Sequence, residues 1–163
     1  MNSPLSPEMR AALAPALGKI ASGLYIATAK VDEEPVGMLC SFVEQASFDP
    51  PMITMAIGAD RPIAAALHTG GVFGLHVLGK GNNALMKSFA RGGTPEAFAA
   101  HAMVENEHGV PQFPEAWCFL VGQVRQTFPA GDHLIHLAEV IGGNLQQSEE
   151  EAMIRVRANG FKY

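Results

Sequence analysis

Seven short apolar runs, each bounded by turn-forming residues, constrain this chain more than any other feature. They cover residues 24–29, 36–43, 52–57, 72–78, 117–128, 133–141 and 152–157. Most are of strand length and too short for independent helices. Asp32, Glu33, Glu34 and Pro35 form a polar turn after the first run. Gly131-Asp132 sits between the two longest runs and predicts a hairpin. The run MITMAI at 52–57 is apolar at nearly every position, which predicts a strand buried on both faces.

Helical signals are few. Ser6, Pro7 and Glu8 read as an N-cap, a first-turn proline and a first-turn acid, with Met9, Leu13, Ala16 and Leu17 on one face and Gly18 at the end. Residues 62–68 and 82–90 predict two short helices, the second with Leu85, Met86, Phe89 and Ala90 on one side. Residues 92–114 read as loop. The predicted fold is mainly β: an antiparallel split β-barrel of six or seven strands with short helical insertions, one domain over 1–163.

Several function classes are excluded. The 163 residues carry a formal net charge of −5, which gives nucleic acid or an anionic membrane no general attraction. No apolar run approaches the roughly 18 residues that span a bilayer. The N-terminus lacks a basic start followed by an apolar stretch, so no signal peptide is expected. Cys40 and Cys118 show no metal spacing and read as free thiols in a reducing cytoplasm. His133 and His136 are three apart, hence on opposite faces of a strand, and predict no metal site. GxGxxG, GxxxxGK[ST], GxSxG and HExxH are all missing.

The stretch GMLCSFVEQASFDPP at 37–51 is the most informative chemically. It reads as a strand that breaks into a polar, hydroxyl-bearing loop and ends in a double proline. Backbone N–H groups at an irregular strand end suit a phosphate or the polar edge of a ring, and the hydroxyls of Ser41 and Ser47 add donors without bulk. An ordinary strand–loop–strand corner has the same composition.

With ALGKIASGLYIATA at 16–29, GVFGLHVLGKGNNALMKSFA at 71–90, GDHLIHLAEV at 131–140 and RVRANGFKY at 155–163, this stretch resembles the flavin reductase-like FMN-binding split barrels. It is especially similar to the C-terminal flavin reductase domains of diflavin flavoproteins. The resemblance implies that Leu39, Cys40, Ser41, Phe42, Val43 and Gln45 form the segment whose backbone meets the flavin ring. It implies that Ser47, Phe48 and Asp49, flanked by Ala46 and Pro50, lie beside the phosphate and ribityl chain. By the same resemblance Arg61 is the phosphate cation, Lys87, Ser88 and Phe89 form a second flavin segment, and His133 lines the face where nicotinamide docks. Two departures stand out: Ala59 occupies a position that is often polar in relatives, and Glu44 puts a negative charge within the flavin segment, so it is expected to point away from the phosphate.

The implied function is an NAD(P)H-dependent FMN reductase, with NADH or NADPH as co-substrate. The implied assembly is a homodimer, because a barrel of this size has no interior room for the ring. Two alternatives remain open at this point. One is a flavin electron carrier fed by a protein partner, and the other is a barrel that has lost flavin.

Overall fold

The computed structural model describes residues 5–162; Met1 to Pro4, and Tyr163 at the end of the last matching stretch, lie outside the described residues. The expected first helix forms as α1 (Pro7–Gly18), with Pro7 in its first turn and the Ser6 hydroxyl accepting from the Met9 N–H at 3.2 Å. The chain divides into two compact units, and α1 belongs to the smaller, made of the two chain ends outside residues 23–153. There the Arg157 N–H donates to Gly18 O at 2.9 Å and the Gly160 N–H to Ala14 O at 2.7 Å. Gly18 is required by that approach: a Cβ would lie 2.3 Å from Arg157 O. Of the strand expected at 152–157, Ile154–Arg155 forms a two-residue strand and Ala152 an isolated bridge.

The larger unit, residues 23–153, contains the barrel. Its strands are β1 (Tyr25–Val31), β2 (Glu34–Cys40), β3 (Val43–Phe48), β4 (Pro51–Gly58), β5 (Val72–Val77), β6 (Cys118–Ala130) and β7 (His133–Leu145). They make one antiparallel sheet in the order β2-β1-β5-β6-β7-β4-β3. The sequence neighbours β2 and β3 are therefore opposite edges of the sheet, joined by Ser41 and Phe42 alone. Three Cα–Cα steps span at most about 11 Å. The two edges must meet at that point, so the sheet curls into a barrel that is pinned at one end and split along the seam.

Turn chemistry matches the connections. Asp32 and Glu33 both have positive φ, 51° and 66°, as a two-residue hairpin between β1 and β2 requires. Gly131, at φ 69°, opens the β6–β7 hairpin. Pro35 falls on β2, an edge strand, where its missing N–H breaks no ladder.

Inward-facing residues from every strand, among them Ala27, Cys40, Val43, Met55, Phe73, Val124 and Ala138, form one core. Outward residues of β1 and β2, Ile26 and Leu39, join a second core under the helices with Leu85, Phe89, Phe98 and Phe113. His76 of β5 lies in this outer layer, fully buried. Its Nδ1 donates to Ile26 O at 3.0 Å and its Nε2 accepts the Phe113 N–H at 3.0 Å.

Several local expectations are corrected. The run expected at 36–43 is broken at Ser41 and Phe42, and residues 44–48, read as loop, continue from Val43 as the edge strand β3, with a register shift between Gln45 and Ser47. The β4 run buries only Ile53, Met55 and Ile57, while Met52, Thr54 and Ala56 stay half-buried within the chain. The segment from Pro62 is a four-residue 3-10 turn, Pro62–Ala65, rather than a helix to His68. The second expected helix forms as α2 (Asn83–Phe89), with Leu85 and Phe89 buried but Ala90 exposed. The loop 92–114 contains α3 (Pro95–Ala99), whose start repeats the α1 signature: Thr94 caps the Ala97 N–H and Pro95 enters the first turn.

Candidate functional site

The crossing from β2 to β3 is the focus of the site. Phe42 O accepts the Ala56 N–H of β4 at 2.9 Å, which ties the crossing to the opposite side of the seam. His133, first residue of β7, pairs with Gly58 at the end of β4. Its ring stands 5.8 Å from that of Phe42, and its Nδ1 lies 2.7 Å from Asp132 Oδ1. The Ala59 N–H donates to Asp132 O at 3.4 Å, so the turn carrying Arg61 meets the hairpin carrying His133. Arg61 is half-exposed, with only a loose 3.9 Å contact to Asp60. Ser41, Phe42, Gly58, Arg61 and His133 thus gather at one end of the barrel.

Two features of this end suit a polar planar ligand. The Ser41 side chain is buried, and its Oγ has no hydrogen-bond partner, a state that costs about 1–3 kcal/mol unless something else satisfies it. The second feature is the free edge of β2. Gly37 O accepts the Gly93 N–H from outside the sheet at 2.9 Å. With a period of two, the main-chain groups of Leu39 point to that same free edge, while Met38 and Cys40 face β1. A ring lying along this edge would find donors and acceptors already aimed at it. The buried, orphaned Ser41 Oγ beside a free strand edge fits a flavin.

The other expected contacts divide. Cys40 and Val43 turn their side chains into the barrel core, and the Cys40 main chain faces β1, so neither side chain is offered to a ring at the edge. Burial pushes the Cys40 thiol up to about 12, which leaves it unreactive. Phe89 is likewise a core residue, its ring packed 5.1 Å from Phe98 and 5.4 Å from Phe113. Lys87 is exposed, and the Ser88 hydroxyl lies 2.8 Å from His101 Nε2. Glu44 faces the Tyr25 side, where burial first and then its charge raise the phenol.

Ser47, Phe48, Asp49 and Pro50 are not brought to Arg61. Phe48 pairs with Pro51, at the start of β4, and Arg61 follows its end. An eight-residue strand rises about 23 Å between these points. Within one chain, Arg61 and Ser47–Asp49 cannot hold the same phosphate. Phe48 is 89% exposed.

His101 and Glu115 escaped sequence reasoning. They meet Ser88 in space from separate segments, and no spacing motif links them. Among the described residues no cluster of His, Cys, Asp and Glu could hold a metal ion, and no helix is long and apolar enough to cross a membrane.

Comparison with known proteins bears on this geometry. The family described as flavin reductase like domain matches residues 17–160. Diflavin flavoprotein A 1 of Synechocystis sp. is 35% identical over 151 residues, covering 91% of this chain and 26% of its own length. A diflavin flavoprotein A relative from Nostoc sp. is 36% identical over the same length and share of each chain. The chain thus spans about a quarter of the curated relatives it matches. Among solved structures, the NADH:FAD oxidoreductase SgcE6 of Streptomyces globisporus C-1027 superposes with a TM-score of 0.81 at 25% identity, covering 96% of this chain and 94% of that one. The styrene monooxygenase flavin reductase of Pseudomonas putida S12 shares the fold, with a TM-score of 0.76 at 21% identity over 88% and 91% of the two chains. The seven-stranded split barrel and the family match over most of the chain lead to one conclusion: this protein belongs to the flavin reductase-like family.

Proposed function

We infer that this chain is a flavin reductase that binds FMN and takes its electrons from NADH or NADPH. The observation that carries the reading is the crossing end of the barrel: the orphaned Ser41 Oγ, the outward main-chain groups of Leu39, and His133 beside Phe42. Bound flavin would supply the hydride-accepting ring, which no side chain here can replace. The residues of the chain bind and orient. The β2 edge holds the polar side of the ring, Arg61 neutralises the phosphate, and His133 donates a hydrogen bond that positions the nicotinamide. Lys87 and Ser88, and the backbone of Phe89, form a second contact segment. Ser47–Pro50, far from Arg61 in one chain, would serve through the second subunit of a homodimer.

A solved complex of SgcE6 holds NAD and FAD fragments, which supports pairing the two ligand classes on this fold. FMN is favoured over FAD here because Arg61 offers a site for one phosphate and the sequence has no second nucleotide motif. The half-buried outer residues of β4 and the exposed Phe48 support the dimer. Light scattering should then report about twice the 17.3 kDa chain mass. The reading treats residues 1–163 as one flavin-binding domain working in the cytoplasm and passing electrons to a partner protein.

The test is a spectrum of the purified protein, followed by anaerobic addition of each nicotinamide. An absorbance near roughly 450 nm that bleaches with NADH or NADPH supports the reading. Colour without bleaching favours a carrier reduced by a protein, a second reading motivated by the diflavin relatives being some four times longer than this chain. FAD as the flavin released on denaturation, or a colourless protein that takes up no FMN, overturns it.

A further inference from the structure

Ser88, His101 and Glu115 come from separate segments and meet in one hydrogen-bonded row. Ser88 Oγ lies 2.8 Å from His101 Nε2, and His101 Nδ1 lies 2.6 Å from Glu115 Oε1. The His101 side chain is 8% exposed and Glu115 44% exposed. The imidazole stands edge-on to the Phe113 ring, with centroids 6.2 Å apart. The row is thus sheltered at the imidazole and open to solvent at the carboxylate.

The proton inventory of the row has a chemical consequence. An ionised carboxylate only accepts, so the proton on the imidazole sits on Nδ1 and points to Glu115. In the neutral ring Nε2 is then a lone pair facing Ser88 Oγ. The Ser88 hydroxyl has one proton and two acceptors in reach: His101 Nε2 at 2.8 Å and Ala84 O, one turn back, at 3.2 Å. The nearer, more basic acceptor takes it. A hydroxyl bonded to an imidazole, itself oriented by a carboxylate, is the geometry that activates a serine as a nucleophile.

We propose that Ser88 is a reactive serine, open to acylation by small activated esters and to phosphonylation by fluorophosphonates, with His101 as its base and Glu115 as the residue that positions the base. With an ester, a bond forms between Ser88 Oγ and the acyl carbon while the bond to the leaving oxygen breaks. The Ser88 proton passes to His101 Nε2 and then to the leaving oxygen. Water then attacks the acyl carbon, releases the acid and returns a proton to Ser88. The Ala90 and Gly92 N–H groups that follow Ser88 donate to Lys87 O and Phe89 O, so these two donors are not free to support an oxyanion. Single-round labelling is therefore the sensitive readout, ahead of turnover.

The experiment treats the purified full chain with a fluorophosphonate probe and maps the adduct by peptide mass spectrometry. Ser88 should label at least about ten-fold faster than Ser6, Ser22, Ser41 or Ser47, and His101→Ala should reduce that rate by about ten-fold or more. Glu115→Gln keeps an acceptor oxygen at a half-exposed position while removing the charge, so it guards against a His101 variant that fails to fold. It should slow labelling by several-fold with the melting temperature unchanged. An adduct absent from Ser88, or a Ser88 rate indifferent to Glu115→Gln in a folded protein, overturns the proposal. Labelling is measured on the protein as purified and again after flavin is stripped, so that cover of Ser88 by flavin is told apart from an unreactive Ser88, whether or not the protein reduces flavin.

Discussion

The two ends of the β3–β4 hairpin carry similar residues and do different things. At one end Ser41 and Phe42 close the barrel, buried or half-buried, next to Arg61 and His133. At the other end Ser47, Phe48 and Asp49 lie about 23 Å away along β4, with Phe48 almost fully exposed. A serine followed by a phenylalanine stands at both ends. What separates them is closure. The first pair bridges two sheet edges and loses its water; the second merely ends a hairpin. Burial leaves Ser41 Oγ in need of a partner, whereas a hydroxyl near Phe48 can use solvent.

The largest expected effect concerns the wall behind the first end. His76 bridges β1 to Phe113 as a neutral ring, and burial lowers its pKa from 6.5 to about 4. The unfolded chain therefore takes up this proton first as pH falls. The stabilisation is complete above pH 6.5, declines as pH drops toward 4, and amounts to about 3 kcal/mol. Melting temperature should fall over that window, and His76→Gln should flatten the decline. An equally steep decline in the variant would move the acid sensitivity elsewhere.

Next in size is the contrast between the two ends in phosphate binding. Arg61→Ala should weaken FMN binding by about 1–3 kcal/mol and riboflavin binding much less. Asp49→Asn, at the far end, should also change the FMN-to-riboflavin ratio, because in the proposed dimer the second subunit brings Ser47–Pro50 to the site. An unchanged ratio, measured by fluorescence titration, would mean that each site is completed by its own chain.

His133→Ala should leave FMN content nearly unchanged and slow anaerobic flavin reduction by about ten-fold, or about 1.4 kcal/mol at the transition state. Stopped-flow spectroscopy separates this from the contrary result, in which flavin is lost but the remaining holoprotein reacts at the normal rate. The smallest effect is at Phe48. Its ring is 89% exposed, so Phe48→Ala should alter the stability of an isolated chain by less than about 0.5 kcal/mol. A drop in melting temperature that grows with protein concentration would instead reveal that a second subunit covers the ring.

Strand positions, the Asp32 and Gly131 turns and the capped start of α1 follow from local chemistry, and the sequence carries them openly. The start of α3 was equally legible: Thr94, Pro95 and Glu96 repeat the α1 signature inside a stretch read as loop. Residues 44–48 look polar because an edge strand on a split barrel has a solvated face, so their composition mimics a loop. By itself, then, the sequence determined a β-rich chain with a polar, serine-bearing seam and the residues that resemble a flavin site. Only the tertiary structure decided that Arg61 and Ser47 lie apart, that Phe89 is core, and that Ser88, His101 and Glu115 meet. Those are distances between segments remote in sequence, set by how the sheet closes and what packs on its outside, and no local pattern encodes them.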